Sequence, residues 1–332
     1  MVKPRMLTAV AVALITVLTL VPDLRAEEYK VLVVMSYEDD YPWDVEVKEG
    51  IDTVLSDKAE LRYFYMNTKT NLAGSAEKGK EAYQLFKDFQ PDGVIAMDDN
   101  AQKDFVLPYI KGKADAPVIF GGVNAEPDAY GYPTDQISGI LDRFHISESI
   151  AFAQQLVPTI KTVGFILKES PTARLIHNQV ENERENYSAE ITGFHMVKTL
   201  AEALSTAAEK KKNTDLLYVA VLSGVTDSDG EPLNEKQAVR TVADAFGGPT
   251  TTNLKGNVKN GTLCAVVKTG QEQGAVAAEM LLKALEGAPV GEMEITRNRH
   301  GKRVINAAVL KELGIKPNAA ALRGAEIVTT EP

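Results

Sequence analysis

The sequence predicts an α/β protein built as two doubly wound, parallel-sheet lobes. Three observations carry that expectation. Short apolar runs rich in β-branched residues alternate with longer stretches of helical periodicity. The runs are nearly continuous in their apolar character, as in parallel strands buried on both faces. The alternation also completes one wind by about residue 125 and then restarts, which implies two helix-covered sheets in one chain.

Taken in order, Val31 to Met35 is the first strand, and Trp43, Val47, Ile51, Val54 and Leu55 then recur at helical spacing. Leu61 to Met66 reads as a strand, Ala76 to Phe89 as a helix and Gly93 to Met97 as a strand. Ala101 to Tyr109 is helical and Pro117 to Phe120 is a short strand. The second wind opens with a strand at Ile137 to Leu141 and a helix at Ser147 to Val157. Strands follow at Thr162 to Leu167, Ile191 to Val197, Leu216 to Leu222 and Leu263 to Val267. The helices between and after them cover Thr172 to Tyr187, Leu200 to Lys210, Asn234 to Phe246 and the Ala-rich stretch Gly270 to Leu285. Lys210 to Lys212 closes a helix, where cations suit the negative end of the dipole.

The N-terminus has the layout of a secretory leader. Lys3 and Arg5 precede an uncharged run from Met6 to Val21, and Ala26 is followed by Glu27 and Glu28. Cleavage is expected after Ala26, and no cysteine lies near it to carry a lipid. The 332-residue chain has a net charge of −10 at pH 7, and losing the leader makes it more acidic. Such a surface argues against nucleic acid or anionic lipid as a partner. Cys264 is the one cysteine and sits in an apolar run, so it reads as a buried strand thiol. His145, His177, His195 and His300 are scattered without paired ligand spacing, so no metal site is expected. No cofactor fingerprint appears.

In open α/β sheets ligands sit beyond the carboxyl ends of the strands, so the candidate binding residues are taken from those loops. After the first strand, Ser36 offers a hydroxyl, and Tyr37 and Trp43 offer rings for stacking. Trp43 reads equally well as a core anchor. The third strand ends in Asp98, Asp99 and Asn100, which suit a ligand amine or an N-cap. The fourth ends in Gly121, Gly122, Val123 and Asn124; the glycines permit close backbone approach, but the spacing is not that of a dinucleotide fingerprint. In the second wind, Ser170 and Thr172 stand at a helix start whose N–H groups suit an anion. Asp227 opens an Asp227-x-Asp229-Gly230 turn that lacks the remaining ligands of a calcium loop. No activated nucleophile accompanies these residues, and no catalytic residue is expected.

These segments, joined by Leu156 to Gly164, Gly270 to Gly287 and Asn306 to Gly314, keep their order over about 300 residues. In them the chain resembles the ABC-transporter substrate-binding family of type I periplasmic binding proteins. That family includes tryptophan- and tyrosine-binding lipoproteins and is similar to the extracellular sensor domains of bacterial histidine kinases. The resemblance implies two lobes joined by three crossovers, near 141–145, 266–269 and 289–296. The lobes would comprise 27–143 with 268–292, and 144–267 with 293–332. A small organic ligand, such as an amino acid or aromatic carboxylate, would lie between them without being turned over. The implied protein is a monomer that diffuses in the periplasm, closes on its ligand and docks on the permease of an ABC importer or, alternatively, on a membrane sensor kinase. Ser170 and Thr172 stand where amino-acid-binding relatives hold the ligand carboxylate, although Glu169 to Arg174 differs from their Asn-Pro-Gly-Glu pattern.

Overall fold

Successive side chains of a strand point to opposite faces of its sheet, and in this chain both sets are apolar. Val31, Val33 and Met35 enter one core while Leu32 and Val34 enter another, all with no exposed surface. A sheet made of such strands must be covered on both faces. The structure, a computed structural model, describes residues 29–331; the expected leader and its cut after Ala26 lie outside the described residues.

Two sheets result. The first is formed by β1 (Tyr29–Met35), β2 (Ala59–Tyr65), β3 (Gly93–Met97), β4 (Val118–Val123) and β5 (Ile137–Leu141). The second is formed by β6 (Thr162–Lys168), β7 (Glu190–Val197), β8 (Leu216–Ala220), β9 (Thr250–Thr252) and β10 (Cys264–Val267). Three later strands complete them: β11 (Thr296–Arg297), β12 (Lys302–Asn306) and β13 (Glu326–Val328). The orders are β11-β5-β4-β3-β1-β2 and β13-β12-β10-β9-β8-β6-β7. Every pairing is parallel except β10 with β12. Leaving the added strands aside, the two orders are the same path walked twice, which is the doubled wind expected from the sequence.

Helices Pro42–Leu55 and Gly270–Leu285 cover one face of the first sheet through Val47, Ile51, Ala277, Ala278 and Leu281. The second of these comes from the far side of the second sheet in sequence. It crosses its partner on glycines: a Cβ at Gly274 would lie 2.0 Å from the Val47 carbonyl oxygen, and one at Gly50 2.2 Å from that of Gln271. The other face is closed by helix Ser75–Phe89 and by Gln102–Ile110. The latter is an i→i+5 helix, not the ordinary one expected; it ends with Lys111 N–H donating to Val106 O at 2.9 Å.

The chain passes between the sheets after β5, after β10 and after β11. The third passage falls at 298–301, later than the 289–296 implied by resemblance. Thr296 and Arg297 pair with Ile140 and Leu141 of β5, so residues expected in the second lobe extend the first sheet. That short strand covers what would otherwise be an open sheet edge. Four strands, β9, β11, β12 and β13, were not read from the sequence at all. Among them β9 is a run of three threonines, all buried, whose Thr251 hydroxyl donates to Cys264 O at 2.9 Å.

The glycine crossing yields a direct test. Gly274→Val forces a branched side chain into the Val47 backbone, and overpacking of this kind costs about 3 kcal/mol. Urea unfolding should show a lower midpoint with an unchanged slope, whereas Gly256→Ala, with open space around it, should shift it little.

Candidate functional site

The carboxyl ends of both sheets' strands meet at the passages between them. A cavity of about 410 Å³ lies there, beside the hinge, with walls from both lobes. Asn124, Asp142 and Arg297 come from the first sheet's side, Phe144 from the first passage, Gln179 from helix Pro171–Asn182 and Glu183 from the residue that ends it. The volume suits a small organic molecule.

The passages are fastened to one another. Asp142 and Lys268, the first residues past β5 and β10, form an ion pair. Asn298, buried in the third passage, accepts from Arg143 N–H at 2.8 Å and donates to Arg143 O at 2.9 Å. That fixes which way its amide points and leaves its Nδ2 donating to His145 Nε2 at 2.9 Å. The other ring nitrogen, Nδ1, stands 3.4 Å from Glu148 Oε2. Gln179 clamps Phe144 through both its N–H and its carbonyl, at 3.1 and 2.8 Å.

Around the first sheet's strand ends lies an acidic and aromatic cluster. Asp98 follows β3 directly, is 3% exposed and has φ +65°, a left-handed backbone that Asp tolerates better than most residues. Its side chain lies over Gly122, where a Cβ would sit 3.0 Å from Oδ1. Burial, then Asp44, Asp142 and Asp99, raise its carboxyl well above the usual range. Asp44, fully buried at the start of its helix, accepts from Tyr37 N–H at 3.2 Å, and burial pushes it up to about 7. Burial likewise raises Asp142, with Lys268 pulling the other way. The Tyr37 phenol is raised by burial and by Asp98, Asp44 and Asp99. Lys268 Nζ stands 5.5 Å from the Trp43 ring centre and 5.2 Å from that of Phe144.

The residues expected from the sequence divide into two groups. Tyr37, Trp43 and Asp98 are brought together, with Trp43 packed partly into the core beneath it as well. Asn124 reaches the cavity wall. Ser36 instead is wholly buried: its hydroxyl donates to Met97 O at 2.6 Å and accepts from Ala101 N–H at 3.0 Å, tying β1 to β3. Asp99 accepts from Asn124 N–H, Ala125 N–H and the Tyr130 hydroxyl, holding the loop after β4. Ser170 caps its helix by accepting from Ala173 N–H at 3.1 Å, and Thr172 is exposed beside it. Asp227 shapes its turn by accepting from the N–H groups of Asp229 and Glu231. Asp44, Asp142, Phe144 and Lys268 were missed. Asp142 and Lys268 satisfy the same strand-end rule that selected the others.

Among the described residues no group of three or more His, Cys, Asp or Glu is arranged to hold a metal ion, and no helix is long and apolar enough to cross a membrane. Cys264 is buried in β10, and burial pushes its thiol up to about 12, far from a nucleophile's range.

Residues 47–329 match the family described as ABC transporter substrate binding protein. A tyrosine-binding protein of Clostridioides difficile is 26% identical over 67% of this chain, and the match spans 60% of that relative's length. The ligand-free, open structure of a substrate binding protein with adhesive properties from Clostridium difficile superposes with a TM-score of 0.67 at 17% identity, covering 91% of this chain and 100% of that one. A Streptococcus pneumonia ABC domain in complex with L-Trp gives a TM-score of 0.51 at 18% identity, over 91% of this chain and 100% of the other. At these identities the two structures speak for the fold.

The raised acids make stability depend on pH. Asp44 binds its proton up to about pH 7 when folded and only to about 4 when unfolded, so its contribution falls as pH rises between those values. Asp44→Asn removes that dependence. The variant's Tm relative to the parent should therefore climb as pH is raised from about 4 through 7, as differential scanning calorimetry would read; a constant difference would place the ionised form of Asp44 at no cost in the fold.

Proposed function

Because this chain belongs to the family of ABC transporter substrate binding proteins, we propose that it captures a small organic solute between its lobes and hands it to an ABC importer. The single observation that carries this is the hinge-side cavity with walls from both lobes, placed where the strand ends of both sheets converge. Asn124, Asp142 and Phe144 line that cavity; Tyr37, Trp43 and Asp98, which do not, would meet the solute from the neighbouring strand ends, the rings flanking it and Asp98 at its polar head. The helix start at Ser170 and Thr172 would close on it from the second lobe. The moving bodies in this reading are residues 29–142 with 268–298, and residues 143–267 with 299–331. Closure about the three passages would bury the solute, and the closed form would be what the importer recognises. Binding proceeds without turnover, after export through the leader that ends at Ala26.

Two relatives carry the names of aromatic amino acids, tyrosine in one and L-Trp in the other, and the ring pair at the first loop suits a ligand of that shape. An aromatic amino acid fits the cluster better than an aromatic carboxylate, which would bring a negative charge to Asp98.

Protein purified under native conditions should release a small molecule on denaturation, read by mass spectrometry. Returning that molecule at a hundredfold excess over its Kd should stabilise the protein by about 2.7 kcal/mol. Trp43, the chain's single tryptophan, should change its fluorescence on binding. A protein that releases nothing, and whose Tm no compound in a broad solute panel moves, is not a solute-capture protein.

A further inference from the structure

Asp44, Asp98 and Asp142 are 0, 3 and 4% exposed, and each keeps one oxygen without a hydrogen-bond partner among the described residues: Oδ1 of Asp44, Oδ2 of Asp98 and Oδ1 of Asp142. The Trp43 indole N–H is equally hidden and faces the Asp98 carboxyl. Beside the three acids, among the described residues, Lys268 is paired with Asp142 and the Arg143 guanidinium also bears on Asp142, so both cations at the passages serve that one carboxyl. Lys69 lies 4.0 Å over the Tyr37 ring and 4.8 Å over that of Tyr41, but is itself exposed. A buried carboxylate with neither a counter-charge nor full hydrogen bonding is strongly unfavourable, so such groups either hold a proton or await a cation. Lys268 displays the chemistry that fills the deficit: an ammonium set on a carboxylate and against two aromatic rings, Trp43 and Phe144.

We propose that the cleft is built for a ligand with net positive charge, an ammonium on a short arylalkyl body, whose head is held by Asp98 with Asp44 alongside and whose body lies on Tyr37 and Trp43. This rests on the solute-capture reading and departs from the aromatic amino acid suggested above: a zwitterion brings a carboxylate that the acid-rich strand ends disfavour. Binding is an exchange. The empty site holds protons on its acids; one ammonium enters, one carboxyl group ionises against it and one proton leaves. The groups that bear on this are Glu38, Lys69 and Tyr37 around Asp44, Trp43, Tyr37 and Asp99 around Asp98, and Lys268, Arg143 and His145 around Asp142. The sign follows. Up to about pH 7 a proton on Asp44 competes with the ammonium, and Asp98, raised well above the usual carboxylate range, adds competition of the same sign, so cation affinity rises with pH.

The test is isothermal titration calorimetry of the whole protein with phenethylamine, L-phenylalanine and 3-phenylpropionate. Each is run one unit below and one unit above about pH 7, in two buffers of different ionisation enthalpy. Phenethylamine should bind at least about tenfold more tightly than either analogue, with up to tenfold gain per pH unit for each proton released and a buffer-dependent heat. Asp98→Asn, whose new side chain also tolerates the left-handed backbone, should weaken phenethylamine by about tenfold or more and abolish the buffer dependence. Asp44→Asn provides the same reading at a second position. Tighter binding of L-phenylalanine or 3-phenylpropionate overturns the cation proposal and leaves solute capture standing. Binding of none of the three, with an unrelated solute released by the native protein, does the same. Phenethylamine binding without proton release overturns the exchange.

Discussion

The ion pair between Asp142 and Lys268 is the fastening on which the arrangement of the cleft depends. It joins the first residues past β5 and β10, holding the first two passages side by side, and His145 with Asn298 brings in the third. The Asp142 side chain is 3% exposed and that of Lys268 31%, so the pair lies between the exposed class and the buried one, where loss of one partner costs about 3–5 kcal/mol. A pair such as Arg62 with Glu60, about half exposed on both sides, belongs to the class worth about 1 kcal/mol or less. The same pair also bears on the electrostatics of the strand ends, because Lys268 lowers the Asp142 carboxyl that burial raises.

The two sheets repeat each other closely enough to place their peculiarities at equivalent points. Asp98 follows β3, and Val221 follows β8, the strand at the matching place in the second sheet. Both have left-handed backbones, φ +65° and +54°. For Asp the conformation is tolerated; for a β-branched valine it costs on the order of 1–3 kcal/mol. A chain that keeps the same unfavourable bend at the same station in both lobes is using it to turn the residues behind the strand toward the gap between the sheets.

Much of the fold was legible because a parallel strand buried on both faces is written as an unbroken apolar run. Val31–Met35, Gly93–Met97 and Leu216–Ala220 stand out on that ground alone. The threonine strand β9 carries no such mark, since its buried hydroxyls are satisfied by the β10 backbone and by Asn257, a fact of tertiary packing. The strand β11 is two residues long, below any periodicity. At the site, residue type at a strand end was a fair guide to location and a poor one to role. Ser36, Asp99 and Asp227 sit where expected, but their oxygens serve nearby backbone N–H groups that the loops leave open. Asp44 was hidden inside a helical pattern and Lys268 inside a passage, so neither drew notice as a binding group.

The helix Gly270–Leu285 has a consequence for how the molecule comes into being. It covers a face of the first sheet, yet it follows the five strands that build most of the second. As the chain emerges, Ile51, Ile95 and Ile119 therefore lack their roof until the second lobe has been made, and neither lobe can be cut out as a continuous segment. Contacts of such long sequence separation are the slow ones to form. The first lobe must wait, part of one apolar face uncovered, for a helix that arrives only after its neighbour, so the two lobes must be assembled together.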